Sequence, residues 1–160
     1  MAVNGWRLWR VDPDGTLRSV WKASHKPWTA QPQHAACARV TLLWPPAVQS
    51  RAHRAPGPDC DCGYYLMLTA EQLAELWVPS PVVAGTAVAW GTVVPHAFGY
   101  RAERCQITAL LDGPLPGSTH GRWASADMVQ LAATRHHLPV LPADLANEGR
   151  LDHEQGSHRP

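Results

Sequence analysis

Strand-forming residues dominate the first twenty positions. Trp6-Arg7-Leu8-Trp9-Arg10-Val11 is rich in aromatic and branched side chains, and Leu17, Ser19 and Trp21 alternate against Arg18 and Val20. Between them lies Asp12-Pro13-Asp14-Gly15, with Pro where φ is preset and Gly where a positive φ is needed. The pattern predicts a β-hairpin over residues 5–21. Residues 22–34 are broken by Pro27 and Pro32 and read as irregular. A short strand is expected over 41–44, stopped by Pro45-Pro46, and 45–63 reads as a long loop.

Tyr64 to Leu68 predicts a buried strand. Thr69-Ala70-Glu71-Gln72 then has the form of a capping box, in which the Thr69 hydroxyl accepts from the backbone and Gln72 reaches back. The helix it opens is expected to run to about Trp77, with Leu73, Leu76 and Trp77 on one face, and to end before Pro79 and Pro81. Val82 to Val94 is the clearest β segment. Val88, Trp90 and Thr92 share a face there, and Gly85 and Gly91 mark bulges or bends. Pro95 to Gly99 turns the chain into a partner strand over Tyr100 to Leu111. Ser125 is placed to cap a helix from about Ala126 to His136, terminated by Pro139 and Pro142. Short strands, frequent turns and two helices predict one α+β domain over residues 1–146. Its sheet is expected to be small and antiparallel, open or closed into a barrel. The polar residues 147–160 read as a disordered tail.

Composition changes this picture in two ways. The 160 residues hold eight Trp but one Phe, and Ile107 is the only Ile, so Trp must supply core volume. Lysine is confined to Lys22 and Lys26 while Arg, Ala and Pro are plentiful, which is the usage of a high-GC genome. No run approaches the roughly 18 apolar residues that span a bilayer. The N-terminus lacks the basic start and apolar core of a signal peptide, so a cytoplasmic location is expected. Net charge is +1, yet residues 1–58 carry eight Lys or Arg against Asp12 and Asp14. Such asymmetry marks either an anion-binding face, with Arg39, Arg51 and Arg54 as its candidates, or a solvated surface that offsets a negatively charged metal site.

The candidate chemistry centres on Cys60-Asp61-Cys62-Gly63, with His53 and Cys37 upstream. In a reducing compartment a Cys-x-Cys pair reads as metal-binding rather than as a disulfide. Three thiolates and one imidazole make a closed tetrahedral set for Zn²⁺, and a full shell points to a structural site. The spacing departs from the common C-x₂-C ribbon. The competing reading makes Cys37 a small buried hydrophobe, and His34 is the substitute ligand should Cys37 or His53 fail. Cys105, on a strand with Ile107, is expected to be a core thiol.

Several segments together resemble a family of uncharacterised small proteins of high-GC bacteria and their phages. They are Gly5-Trp6-Arg7, Pro27-Trp28, Cys37, His53-Arg54-Ala55-Pro56, Cys60-Asp61-Cys62-Gly63-Tyr64, Ala89-Trp90-Gly91-Thr92-Val93 and Gly99-Tyr100-Arg101-Ala102-Glu103. The resemblance covers most of residues 5–111 and implies the architecture and the metal site, but no activity. Leu66 stands where that family is expected to carry a small residue.

A second cluster gathers His96, Tyr100, Arg101 and Glu103 near one turn. His96 is a candidate general base there, Glu103 its orienting group and Arg101 an anion holder. The plainer reading is a cross-strand ion pair that fixes register. Trp28 and Trp44, beside prolines, are the candidates for aromatic ligand contact. His136-His137 lies at a helix C-terminus without a third ligand nearby in sequence. No phosphate loop, dinucleotide fingerprint, nucleophile elbow or metalloprotease motif is present. These features predict a zinc-stabilised binding module with a regulatory or adaptor role, contacting a protein or a nucleic acid. The alternative is an enzyme acting on an anionic substrate through His96, Arg101 and Glu103.

Overall fold

The computed structural model describes residues 1–20, 27–37, 53–58, 60–76, 78, 81–118 and 122–147. The strand expected over 41–44, Trp21, Arg39, Trp44, Arg51, Trp77 and the tail beyond 147 lie outside these residues. The described chain is α+β. Its strands are β1 (Val3–Val11), β2 (Leu17–Ser19), β3 (Gln33–His34), β4 (Tyr64–Met67), β5 (Val82–His96), β6 (Gly99–Leu111) and β7 (Val140–Leu141). Its helices are α1 (Glu71–Ala74) and α2 (Ala126–His136), followed by a 3₁₀ turn at Ala143–Asn147. Among the described residues no helix is long and apolar enough to cross a membrane.

The seven strands form one mixed sheet. Strand β1 pairs with β2, β4 and β5, and β6 pairs with β4 and β5, so β1, β5, β6 and β4 close a four-stranded ring rather than a barrel. The strand pairings are antiparallel, as expected, except that the short β7 joins β6 in parallel. Ring closure explains why β1 is buried along nearly its whole length. Val3, Trp9 and Val11 enter one core with Trp28, Leu66, Ile107 and Val129. Trp6 and Leu8 enter a second core with Met67, Leu73, Val82 and Leu115. A strand covered on both faces does not alternate, and β1 reads in sequence as a continuous run for that reason.

The β5–β6 pairing carries two irregularities, the first with its extra residue in β6 and the second with its extra residue in β5. Pairing slips between Thr86 and Ala87, and again between Trp90 and Val93. The buried residues of β6 in the first core, Ala102, Cys105, Ile107 and Leu110, change parity twice along the strand. At the second slip Gly91 adopts φ 82, a conformation that a side chain disfavours. At the first, β5 and β6 approach so closely that a Cβ on Gly85 would lie 2.2 Å from the Ala109 carbonyl oxygen. Leu66 is fully buried, and its bulk is accommodated because Gly5 opposes it: a Cβ there would meet Leu66 Cβ at 2.7 Å.

Trp28, a candidate for aromatic ligand contact, is 4 % exposed and belongs to the first core. Its ring meets Trp9 edge-on at 5.8 Å and Tyr64 at 5.0 Å. The buried Arg7 guanidinium lies 4.9 Å from the Trp28 ring centroid. It donates to the Tyr65 carbonyl at 2.5 Å and to Ser19 Oγ at 3.0 Å. Burial lowers the Arg7 pKa to about 10.

The helices follow their sequence signals to different extents. Ser125 caps α2, accepting from the Met128 N–H, and His137 ends it in the left-handed region at φ 53. The His137 and Leu138 N–H groups then bond back to the last turn, closing the helix in a Schellman-like cap. Helix α1 is a single turn. Gln72 Oε1 accepts from the Leu68 and Thr69 N–H groups as a capping box requires, but the Thr69 hydroxyl does not cap; Ala70 stands at the N-cap.

Helix α2 packs on the β1–β2 turn. Arg135 donates to the Asp14 carbonyl and pairs with its carboxylate at 3.4 Å. His136 is 5 % exposed, and its Nε2 has no hydrogen-bond partner among the described residues. Burial pulls its pKa below the usual histidine value; the Gly15 backbone and Asp14 oppose the shift, while Arg135 and His137 reinforce it. Burial lowers the His96 pKa in the same way. Both groups bind fewer protons folded than unfolded. Their neutral forms therefore support the fold above about pH 6.5, and that stability is lost as pH falls from there through the lower folded values. Thermal melts between pH 8 and pH 5 should show this loss. His136→Gln should reduce the slope without abolishing it, since His96 remains; an unchanged slope would exclude His136 as a contributor.

Candidate metal centre

Cys37, His53, Cys60 and Cys62 converge. Their ligand atoms all lie within 4.8 Å of one another, and no other such group of three or more occurs among the described residues. Cys37 Sγ is 3.6 Å from Cys60 Sγ, and His53 Nε2 is 3.1 Å from Cys62 Sγ. A tetrahedron with metal–sulfur bonds of about 2.3 Å places its sulfurs roughly 3.8 Å apart, so a small contraction of the group completes the shell. The donor set fits a soft or borderline ion, and four protein ligands leave no open coordination position. His34 is not part of the cluster. It lies on β3, exposed, and its carbonyl accepts from the Tyr64 hydroxyl at 3.1 Å.

The local electrostatics differ between the two cysteines of the turn, favouring the thiolate at Cys60 and disfavouring it at Cys62. The Gly57 N–H donates to Cys62 Sγ at 3.3 Å. Burial pushes the Cys62 thiol up, and that bond opposes the shift. At Cys60 burial also acts upward, but the Cys62 backbone N–H, the neighbouring thiols and His53 outweigh it and bring the pKa to about 7. Cys60, Cys62 and Ala55 form a small buried cluster, against which Ala35 and Cys37 pack. A metal bound by these four residues would cross-link the loop segments that carry them.

Strand β6 holds the cluster through two charged side chains. The buried Glu103 carboxylate accepts from Arg54 Nη2 at 2.6 Å and from the Thr92 N–H and hydroxyl at 3.1 and 3.2 Å. Arg54 follows His53 directly and bridges Ala36, one residue before Cys37. The Glu103 carbonyl accepts from the Ala35 N–H at 2.7 Å. One residue thus supports both segments that deliver upstream ligands. Arg101 donates to the Cys60 carbonyl, and the Tyr65 hydroxyl donates to the Asp61 carbonyl at 2.9 Å, fixing the Cys-x-Cys turn.

The residues once grouped as a catalytic candidate are therefore engaged separately. Arg101 serves the Cys60 turn and Glu103 serves Arg54. His96 accepts through Nδ1 from the Phe98 N–H at 3.2 Å and packs its ring against Tyr65 at 5.3 Å. Its Nε2 is buried without a hydrogen-bond partner among the described residues. Arg54, a candidate for anion binding, is an ion-pair partner, and Arg51 lies outside the described residues. Cys105 is fully buried, and burial raises its thiol to about 11, consistent with a core role. The support role of Glu103 was missed in sequence because Arg54 lies 49 residues away.

Arg54, ahead of other partners, lowers the Glu103 pKa to about 2. The ion pair's contribution is present above the usual carboxylate range near 4.5 and is lost as pH falls towards 2. Glu103→Gln should lower the melting temperature at neutral pH, remove this acid-dependent loss, and weaken metal retention about tenfold, as loss of a ligand-supporting partner does. Chelator competition and melts at pH 2.5–7 measure these effects; wild-type metal retention in the variant would contradict the assigned role. Comparison with family models, curated proteins and solved structures finds no match to this chain, so the functional reading rests on the geometry of this site.

Proposed function

We propose that the chain is a zinc-stabilised binding module, with Cys37, His53, Cys60 and Cys62 holding one structural Zn²⁺, and that it acts through contact with a macromolecular partner rather than through catalysis. The convergence of four soft donors within 4.8 Å carries this reading. Three thiols kept reduced suit a cytoplasmic setting. The enzyme alternative loses support because His96, Arg101 and Glu103 are committed to different partners.

Between a protein and a nucleic acid, the charge pairing favours a protein. Arg18, Arg54 and Arg135 each pair with a carboxylate, Asp12, Glu103 and Asp14 respectively. Those carboxylates offset the charge of these three arginines. Phe98, by contrast, is 58 % exposed at the tip of the β5–β6 hairpin. The regulatory or adaptor role, and kinship with the small high-GC bacterial and phage proteins that the motifs resemble, belong to this proposal.

Elemental analysis of the purified chain should find one zinc per molecule. Structural zinc contributes about 10–16 kcal/mol in small zinc modules, against a total domain stability of about 5–15 kcal/mol. A strong chelator should therefore abolish the cooperative melt, and zinc should restore it. A metal-free preparation with full thermal stability would contradict the proposal. Titration with duplex DNA at 50 and 200 mM salt tests the partner class: weak, salt-insensitive binding is expected, whereas a steep salt dependence would favour nucleic acid.

A further inference from the structure

We infer that the metal centre is also a peroxide-sensitive modification site, in which oxidation joins Cys37 to Cys60 and releases the metal. The inference rests on the metal reading proposed above. Its geometric basis is uneven protection of the ligands. Cys62 is 1 % exposed and is held by the Gly57 N–H and by His53. Cys37 is only half-buried and His53 is exposed, so one edge of the cluster faces solvent. Cys37 Sγ sits 3.6 Å from Cys60 Sγ, so a disulfide needs those two sulfurs to close by roughly 1.5 Å, to the bond length near 2.05 Å. A Cys60–Cys62 bridge would close across Asp61 alone and would have to displace the more protected sulfur.

The chemistry balances with hydrogen peroxide as oxidant. The Cys37 thiolate attacks one peroxide oxygen and the O–O bond breaks, giving a sulfenic acid on Cys37 and hydroxide. The Cys60 thiolate then displaces hydroxide from the Cys37 sulfur, and the S–S bond forms. The two sulfurs lose two electrons, the peroxide gains them, and two protons from solvent convert the hydroxides to water. Only His53 and Cys62 remain as ligands. Two donors hold zinc far more weakly than four, so the ion leaves and the cross-link between the loop segments changes from metal to disulfide.

The connection to β6 gives the switch a structural consequence. Ala35 and Ala36 are held by Glu103 and Arg54, and the Cys60 carbonyl by Arg101. Cys37 and Cys60 therefore close from anchored positions, while the His53–Cys62 side loses its ion. Oxidation loosens one side of the loop and tightens the other.

The full chain, purified with its metal and assayed for zinc beforehand, is treated with hydrogen peroxide. Metal release is followed with a chromogenic chelator, and disulfides are mapped by mass spectrometry after thiol blocking. The expected result is one Cys37–Cys60 disulfide for each metal released, reversed by dithiothreitol with added Zn²⁺. Cys105→Ser should leave both readouts unchanged, and Cys37→Ser should form no disulfide. Release with the cysteines driven to sulfinic acids, or a bridge between any other pair, would overturn the switch. Full zinc content that survives peroxide would refute the switch alone. A zinc-free preparation would refute the metal reading, and the switch with it.

Discussion

Two charged side chains of one strand, Glu103 and Arg101, fasten the cysteine loop to the sheet. Glu103 takes Arg54, the neighbour of His53, and its backbone takes Ala35, near Cys37. Arg101 takes the Cys60 carbonyl. Every ligand-bearing segment thus has an anchor on β6 that is independent of a metal. Such an arrangement preorganises the four donors, so that a bound ion need not gather an unstructured loop at full entropic cost.

The strand that carries these anchors is paired with a bulge in its neighbour β5. Gly91 and Thr92 of β5 together oppose Glu103, and Ala102 and Cys105 on either side of it both reach the first core. That same irregularity leaves Glu103 beside Thr92, where the backbone N–H and hydroxyl of Thr92 stabilise its charge. Bulges are common where a strand must re-aim a side chain. Here the re-aimed side chain supports the metal loop.

Local signals were legible and long-range ones were not. Asp12-Pro13-Asp14-Gly15 announced the β1–β2 hairpin, the valine-rich stretch announced β5, and Ser125 marked the start of α2. Each signal lies within a few residues of what it specifies. The Cys-x-Cys turn with Cys37 and His53 was readable because soft donors are rare enough to stand out. Ring closure was not readable, since the pairing of Trp6 with Met67 joins segments 61 residues apart (67 − 6). The packing of Trp28 was not readable for a related reason: its partners Trp9, Tyr64 and Arg7 arrive from elsewhere in the chain. Sequence spacing placed Arg101 and Glu103 together and suggested a site; tertiary contacts turned both into supports.

The proposed role of the cysteine loop depends on a metal held by three sulfurs and one nitrogen. X-ray absorption at the zinc edge of the purified protein measures that shell directly. Three sulfurs at about 2.3 Å and one imidazole nitrogen at about 2.0 Å are the predicted result. A shell dominated by oxygen, or one sulfur short with water in its place, would contradict it.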